Sequence, residues 1–407
     1  MFTIPLPKIQ PNTIAVKLSA AGERSVRKGH PWVFSDSIIK INKEGQSGDL
    51  AIVFSHNKNQ VIGVGLFDPN SPIRIKMLAS GGGVIINSEF FSEKINQAYS
   101  LRVPLLKTNT NSYRLIHGEN DGFPGLIADV YARVLVIKLY SEIWFPYLEL
   151  FINHLIKVSD CECVVLRLNR KLQRRKEYYG LIEGQVLYGD LENEVVQFIE
   201  HGVHFSANVI KGHKTGYFLD HRHNRKHVGE LSDGKTVLDL FSYVGGFSIH
   251  ALVNGAKKVT SVDISKQALK IALANGNLNS FPGKHITITG DAFEIMQKFI
   301  SEKTTFELVI IDPPSFAKNK KDIEMAKKKY KLLAELGVKL TDKEGLLVLA
   351  SCSSRVTASE FFALNESVLN AQSRTYRIAL TTQHDMDHPI NFEEGAYLKT
   401  GYYFFSK

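Results

Sequence analysis

From residue 236 onward, short apolar runs alternate with stretches of helical periodicity. The helical stretches lie at residues 246–254, 265–279, 292–302, 322–340 and 357–370. The apolar runs predict strands at residues 237–241, 259–263, 286–289, 308–311 and 346–350, with two further strands at 376–380 and 402–405. Strands that alternate with helices are typical of an α/β protein with a doubly wound, parallel, Rossmann-like sheet.

The first 200 residues follow a different pattern. Strands predicted at residues 14–18, 51–54, 61–67 and 73–78 are separated by turn residues, which favours a small β-barrel. Three glycines at residues 81–83 then mark a boundary. An amphipathic helix near 88–107 and strands at 135–140 and 164–168 indicate an α+β region. We therefore expect three domains, at residues 1–80, 84–200 and 201–407.

Composition narrows the class of protein. No apolar run reaches membrane-spanning length, and the first residues, Met1 to Pro5, lack a charged-then-apolar signal pattern. Three cysteines cannot form a disulfide framework, so we expect a cytoplasmic protein without membrane association. The net charge of +9 favours a polyanionic partner such as nucleic acid.

Acidic residues follow several of the predicted parallel strands, where ligands of such sheets bind. The first strand leads into DLFSYVGGF at residues 239–247, which lacks the G-x-G-x-x-G of dinucleotide-binding proteins. S-adenosylmethionine carries no phosphate and needs close backbone approach, which Gly245 and Gly246 would allow. Asp239 would face its cationic amino-acid end, Asp263 its ribose and Asp291 its adenine. Each aspartate taken singly is also compatible with a helix N-cap.

A cysteine and an aspartate follow the last two parallel strands. Asp312 begins DPPSF at residues 312–316, and Cys352 lies in the SCS of residues 351–353. A thiolate that adds to C6 of cytosine makes C5 nucleophilic enough to take a methyl group. Asp312 would orient the base and assist protonation at N3. A lone cysteine is also compatible with an inert buried residue, as we expect for Cys161 and Cys163.

These motifs resemble those of a known family. Residues 239–247, 312–316 and 351–353 are similar to motifs of class I S-adenosylmethionine-dependent ribosomal RNA large-subunit methyltransferases, above all the branch that makes 5-methylcytosine in 23S rRNA. KTGYFLDHR at residues 214–222 resembles the same family's signature ahead of its first Rossmann strand. Residues 113–126 resemble its middle domain, and GHPWVF at 29–34 resembles its N-terminal, RNA-binding PUA domain.

The resemblance implies roles for individual residues. Cys352 would be the nucleophile and Asp312 the acid that contacts the base. Phe218, Asp220 and Arg222 would help to close the cofactor pocket, and we assign further cofactor contacts to Phe241, Ser242, Gly245, Ala292 and Asp312. The partner would be large-subunit ribosomal RNA, and a homodimer is compatible with the sequence. Unlike other RNA cytosine-C5 methyltransferases, the chain has no second cysteine beside Asp312-Pro-Pro, so the base that removes the C5 proton is unassigned.

Two basic runs are candidates for RNA contact. The run that follows DPPSF, at the expected mouth of the site, consists of Lys318, Lys320, Lys321, Lys327, Lys328 and Lys329. The other run consists of Arg167, Arg170, Lys171, Arg174, Arg175 and Lys176. Either run is also compatible with a solvated helix face. A zinc site at His213, His221, His223 and His227 is disfavoured, because no cysteine lies nearby.

Other functions stay open. A base-nitrogen methyltransferase would use Asp312-Pro-Pro and leave Cys352 as a bystander. A non-catalytic RNA-binding or ribosome-assembly factor would keep only the cofactor fold. The missing glycine fingerprint disfavours a nicotinamide oxidoreductase.

Overall fold

The computed structural model describes residues 2–174 and 180–406. Arg175 and Lys176, of the basic run at residues 167–176, lie outside the described residues. The chain divides into two compact units. The first comprises Met1–Ile199, Ser206–Leu219 and Met386–Phe392, and the second comprises Glu200–Phe205, Asp220–Asp385 and Glu393–Lys407.

The first unit begins with a six-stranded sheet of order β2-β6-β5-β4-β1-β3. Its strands are β1 (Thr13–Leu18), β2 (Trp32–Phe34), β3 (Ile38–Ile41), β4 (Leu50–Phe54), β5 (Val61–Phe67) and β6 (Ile73–Ser80), with helix α1 (Ala20–Arg27) after β1. Alternating buried positions in β1 and β4 supply its core, as period-two patterning requires. The four strands predicted here are confirmed.

The first unit also contains a five-stranded sheet of order β11-β10-β9-β8-β7. The elements in this part of the chain are α2 (Ser88–Leu106), β7 (Ser112–His117), β8 (Leu126–Tyr131), β9 (Val134–Leu139), α3 (Leu148–Ser159), β10 (Cys163–Leu168), α4 (Arg170–Gln173) and β11 (Gln185–Tyr188). Helix α2 and strands β9 and β10 match the predicted elements. Strands β12 (Val195–Glu200) and β13 (Val203–Asn208) follow as a two-stranded sheet.

The second unit contains a seven-stranded sheet of order β16-β15-β14-β17-β18-β20-β19. Its elements are α5 (Arg222–Glu230), β14 (Thr236–Leu240), α6 (Gly246–Val253), β15 (Lys258–Asp263), α7 (Lys266–Asn277), β16 (Lys284–Thr289), α8 (Ala292–Ser301), β17 (Phe306–Ile311), α9 (Ile323–Leu340), β18 (Thr341–Ser351), α10 (Ala358–Asn370), β19 (Tyr376–Thr382) and β20 (Lys399–Phe405). The predicted α/β class with a Rossmann-like sheet is confirmed.

The topology places the candidate site. The first five strands of this sheet are parallel, so β14, β15, β17 and β18 all end at one edge. Strand β20 runs antiparallel to β18, and Lys399 pairs with Ser351. The beginning of β20 therefore lies at the same edge as the end of β18, next to Cys352.

Candidate functional site

The loop between β14 and α6 has an unusual backbone. Phe241 and Tyr243 have φ angles of 61° and 48°, in the left-handed region that side chains other than glycine rarely adopt. Gly245 has a φ of 81°, and a Cβ atom there would lie 2.9 Å from the Cβ of Ala272. The loop thus needs glycine at 245 for both its conformation and its space, and it brings backbone to the edge where ligands bind.

Asp239 is buried at the end of β14, with 1% of its surface exposed. Its Oδ2 accepts hydrogen bonds from the Ser248 backbone N–H at 3.1 Å and the Ser248 hydroxyl at 2.6 Å. Its Oδ1 has no hydrogen-bond partner among the described residues. Burial, together with the negative charges of Asp312 and Asp263, raises the pKa of Asp239 to about 7. An orphaned carboxylate oxygen in this place fits a cationic group of a ligand.

The neighbouring side chains also fit a nucleoside ligand. The buried hydroxyl of Ser242 has no hydrogen-bond partner in the described part of the chain. Asp263 accepts the Tyr243 N–H on Oδ2 at 2.9 Å and the Ser265 N–H on Oδ1 at 2.8 Å, which fixes the carboxylate and leaves one lone pair on each oxygen. Ile264, next to it, is 74% exposed. The residues present therefore fit S-adenosylmethionine.

Asp291 serves as the N-cap of α8. Its carboxylate accepts the N–H groups of Phe293 at 2.9 Å and Glu294 at 3.3 Å. Ala292, the first residue of the helix, is buried, whereas Asp291 is exposed. The capping role that the sequence left open is present here, and the adenine contact stays a prediction.

Asp312 follows β17 and faces a histidine. The Nε2 atom of His221 lies 3.3 Å from Oδ1 of Asp312. Burial disfavours the charged imidazole, but the negative charge of Asp312 outweighs that effect and raises the pKa of His221. Beside His221 in the chain, Asp220 accepts a hydrogen bond from the Tyr397 hydroxyl at 2.9 Å. Asp312 and Asp220 thus lie in one polar cluster.

Cys352 follows β18, the strand beside β17. Its Sγ lies 3.8 Å from the carbonyl oxygen of Pro313, within reach of a weak S–H hydrogen bond. Burial raises the pKa of the Cys352 thiol to about 12, and the carboxylates of Asp312 and Asp220 add to the effect, while Lys399 opposes it. The structure therefore brings Cys352 and Asp312 together and leaves the resting thiol protonated.

The other two cysteines belong to the first unit. Cys161 and Cys163 are both buried there. Burial is the largest cause that raises the pKa of their thiols, to about 12 and about 11. Neither cysteine belongs to the candidate site, so both are suitable controls for replacement of Cys352.

Two residues predicted for the cofactor pocket have other surroundings. Arg222 is fully buried, and its Nη1 lies 3.1 Å from Oδ2 of Asp385, while its Nε lies 3.8 Å from Oε2 of Glu200. Phe218 belongs to the first unit and is 39% exposed. Their cofactor contacts stay predictions. Phe241, by contrast, lies on the β14–α6 loop, 6.4 Å from the ring of Phe293.

The two basic runs differ in their surroundings. Arg167 is buried, and its guanidinium contacts Glu183 at 2.7 Å and donates to the carbonyl oxygens of Val209 and Gly212. This residue stabilises the first unit and is not a solvated charge. In α9 and the segment before it, Lys320, Lys321 and Lys328 are exposed, and Lys329 lies 4.9 Å from the ring centre of Phe316. The lysine run at residues 318–329 thus presents positive charge beside the DPPSF segment.

Three residues of this region were not predicted from the sequence. His221 was considered only as a metal ligand, although its place between Asp220 and Arg222 in the KTGYFLDHR motif was a signal. Lys399 is a single charge in an otherwise apolar strand and is 2% exposed. Glu200 is buried and pairs with both Arg225 and His250. Of the three, Lys399 is the charged residue in a strand whose other residues are mostly buried, which is a signal in the sequence.

Comparison with known proteins identifies the class. A profile of S-adenosylmethionine-dependent methyltransferases matches residues 113–391, and a PUA-like domain matches residues 16–80. The chain belongs to this S-adenosylmethionine-dependent methyltransferase family, which confirms the predicted cofactor. Among the described residues, no helix is both long enough and apolar enough to cross a membrane.

Two relatives and one solved structure illustrate the similarity. The chain is 40% identical to the "Ribosomal RNA large subunit methyltransferase" of Deinococcus radiodurans, over 95% of this chain and 96% of that protein. It is 32% identical to the "Ribosomal RNA large subunit methyltransferase I" of Aliivibrio fischeri, over 95% and 98%. The crystal structure of SMU.776 complexed with SAH has the same fold, with a TM-score of 0.81, 22% identity, and coverage of 97% of this chain and 100% of that one.

Proposed function

We propose that this protein methylates C5 of a cytosine in large-subunit (23S) ribosomal RNA, with Cys352 as the nucleophile. The names of the Deinococcus and Aliivibrio relatives support the RNA substrate. One observation carries the cytosine-C5 chemistry: Cys352 and Asp312 follow two adjacent parallel strands, and the Cys352 Sγ lies 3.8 Å from the carbonyl of the residue after Asp312. A nucleophile and a base-orienting acid must meet in this way.

The chain's own residues would hold the cofactor at the end of β14. Bound S-adenosylmethionine supplies an electrophilic methyl group. The free Oδ1 of Asp239 would accept from its amino group, and Asp263 would accept from its ribose hydroxyls. Gly245 keeps side-chain atoms away from this contact. These residues would hold the cofactor at the edge of the sheet where the DPPSF segment also begins.

Cys352 would activate the base. Its thiolate would form a bond to C6, and the electron pair of the C5–C6 double bond would move to C5, which would take the methyl group from S-adenosylmethionine, with S-adenosylhomocysteine as the leaving group. Asp312 would orient the ring through its polar edge and assist protonation at N3. Loss of the C5 proton to a base would then return an electron pair that breaks the C6–S bond, and N3 would give up the proton that it had gained. The product is 5-methylcytosine, and the thiolate is regenerated.

The raised pKa of Cys352 sets a requirement for this chemistry. With a pKa of about 12, the thiol carries its proton at neutral pH in the resting protein. Only the thiolate is an effective nucleophile, so binding of the base and cofactor must favour the ionised form. A cationic cofactor beside Asp312 would act in this direction, because it offsets one of the negative charges that raise the pKa of Cys352.

The basic residues around the site suit an RNA partner. Lys320, Lys321 and Lys328 would contact phosphates that flank the target base.

The proposal also includes three domains, at residues 1–80, 84–200 and 201–407, a cytoplasmic location and a homodimer. Analytical ultracentrifugation tests the homodimer.

Replacement of Cys352 tests the proposed function. The Cys352→Ala variant and the control Cys161→Ala are compared for methyl transfer from labelled S-adenosylmethionine to large-subunit rRNA, with the product nucleoside identified by mass spectrometry. We expect Cys352→Ala to lose about 10³-fold or more in rate, as a lost nucleophile should, and Cys161→Ala to keep full activity. RNA that carries 5-fluorocytosine should form a covalent adduct with the unmodified protein and not with Cys352→Ala.

A base-nitrogen methyltransferase is the alternative outcome. The protonated resting state of Cys352 and its S–H contact with Pro313 favour this alternative. In that case, Cys352→Ala would keep its activity, and the product would be methylated on nitrogen. Such a result would overturn the cytosine-C5 proposal and retain the methyltransferase class.

A further inference from the structure

Lys399 is a buried cation next to the proposed nucleophile. It is the first residue of β20, is 2% exposed, and pairs in register with Ser351, the residue before Cys352. No carboxylate lies within 4.0 Å of its ammonium group among residues 2–174 and 180–406. A buried lysine is rare without an anionic partner, so its charge requires an explanation.

The ammonium group holds three backbone carbonyls. Its Nζ donates to the carbonyl oxygens of Ser353, of Val356 at 2.5 Å and of Tyr397 at 3.2 Å. An ammonium group has three N–H donors, so this arrangement uses all of them. Ser353 and Val356 belong to the segment that follows Cys352. Lys399 therefore fixes the loop that carries the thiol, and in this geometry it has no lone pair with which to accept a proton.

The charge of Lys399 is incompletely compensated in the resting protein. Burial lowers the pKa of Lys399 to about 8, and Cys352 is the first of the charged groups that oppose this decrease. The same lysine opposes the rise in the Cys352 pKa. Glu360 is the other charged group that opposes the decrease. Lys399 and Cys352 are thus coupled: ionisation of the thiol places a second negative charge in the field of the ammonium group.

We propose that Lys399 is a positioning residue for Cys352, which fixes the loop after the thiol and supplies the positive charge against which the thiolate forms. This inference rests on the proposed role of Cys352 as the nucleophile. The thiol proton passes to water, and Lys399 stays protonated and forms no bond to the substrate.

The pH dependence of Cys352 alkylation in the unmodified protein tests the coupling. The rate of iodoacetamide labelling at Cys352, followed by peptide mass spectrometry, should rise about tenfold per pH unit while Lys399 stays charged. Above a pH of about 8, Lys399 loses its proton, and each further thiolate must form against a weaker field. The rate should therefore level off between about pH 8 and 10. A rate that keeps rising tenfold per unit across this range would overturn the proposal.

Two substitutions separate this coupling from an ordinary thiol of low pKa. Lys399→Arg keeps the charge but does not titrate, so its labelling rate should continue to rise above pH 9. Lys399→Met removes the charge and should lower the rate at pH 7.5 by about tenfold or more. Lys343→Met, on an exposed part of β18, is the matched control and should label like the unmodified protein. A plateau that persists in Lys399→Arg, or an unchanged rate in folded Lys399→Met, would contradict the role.

Folding of each variant is checked by thermal unfolding and by S-adenosylmethionine binding. If a Lys399 variant does not fold, the profile of the unmodified protein still decides the question. Because the labelling uses no RNA, its outcome is independent of the Cys352→Ala test. Loss of methyl transfer in Cys352→Ala with an uncoupled labelling profile would retain the proposed function and reject the role of Lys399.

Discussion

The Nε2 atom of His221 lies 3.3 Å from Oδ1 of Asp312. This pair joins two motifs that are about ninety residues apart in the chain, KTGYFLDHR at 214–222 and DPPSF at 312–316. The His221 side chain is buried and the Asp312 side chain is only partly buried, so the imidazole holds one carboxylate oxygen, and under the proposed function the other would contact the base. The pair thus supplies orientation to the residue that would hold cytosine.

His221→Gln should lower the rate of methyl transfer by roughly tenfold through loss of this orientation. The affinity for S-adenosylmethionine should change little. Steady-state kinetics and isothermal titration calorimetry measure the two effects. His223→Gln, which lies two residues further along α5, is the control, and an equal loss of rate in both variants would contradict the role of His221.

The same pair predicts a pH dependence of stability. The folded pKa of His221 is raised above its ordinary value of 6.5. The stabilisation is therefore complete below pH 6.5 and is lost as the pH rises through the folded pKa. In urea unfolding, the difference in free energy of unfolding between the unmodified protein and His221→Gln should be larger at pH 6 than at pH 9. A difference that grows with pH would be inconsistent with this ion pair.

Asp239 predicts a pH dependence of cofactor binding. Its pKa of about 7 leaves it largely protonated at pH 6 and ionised at pH 8. A cationic amino group prefers the carboxylate, so S-adenosylmethionine should bind more tightly as the pH rises from 6 to 8. Calorimetry in two buffers of different ionisation enthalpy should also detect proton release on binding at pH 6.5.

Asp239→Asn should weaken cofactor binding at pH 8 and abolish its dependence on pH between 6 and 8. The control is Glu302→Gln, at an exposed position after α8, and it should bind like the unmodified protein. A pH dependence that survives in Asp239→Asn would assign the titration to another group.

The lysines beside DPPSF predict salt-dependent RNA binding. Each phosphate contact contributes about 0.7 to 0.9 to the slope of log affinity against log salt. Replacement of Lys320, Lys321 and Lys328 by Ala should therefore reduce the slope by roughly 2 to 3. Fluorescence anisotropy with an rRNA fragment measures the slope. Lys298→Ala, on the exposed face of α8, is the single-site control, and an unchanged slope in the triple variant would exclude these lysines from the RNA contact.

Glu200 predicts a large loss of stability. Its carboxylate is buried and contacts Arg225 through both oxygens, at 2.6 and 2.7 Å, and His250 at 3.0 Å. Glu200→Gln leaves Arg225 as a buried charge without compensation and should cost about 3–5 kcal/mol of unfolding free energy. Urea denaturation measures this loss. Glu194→Gln, at the exposed pair with Lys211, should have no measurable effect.

The parallel strands of the second unit could be predicted from the sequence because they are buried on both faces and are therefore continuously apolar. Strands β7 and β8 could not be predicted in this way. Arg114 and Asp129 are directly paired across them, with Nε–Oδ1 at 2.8 Å, so charged residues interrupt the apolar pattern of buried strands. Here the partner that makes each charge acceptable comes from another strand, and no local pattern reveals it.

The candidate site shows the same limit. The strand ends at Asp239, Asp263, Asp312 and Cys352 could be aligned from the sequence, because parallel strands end at one edge. The antiparallel insertion of β20 between β18 and β19 could not be predicted, because the order of strands depends on tertiary contacts. That insertion pairs Lys399 with Ser351, the residue before Cys352. His221 likewise meets Asp312 through folding rather than through proximity in the chain.

The position of β20 inside the sheet has a consequence for the timing of synthesis. β18 leaves the ribosome about fifty residues before β20, and β19 emerges between them. A nascent chain that has reached residue 390 therefore carries Cys352 but has neither β20 nor Lys399. The seven-stranded sheet of the second unit can be completed only after β20 has been translated, because β20 lies between β18 and β19 and pairs with both.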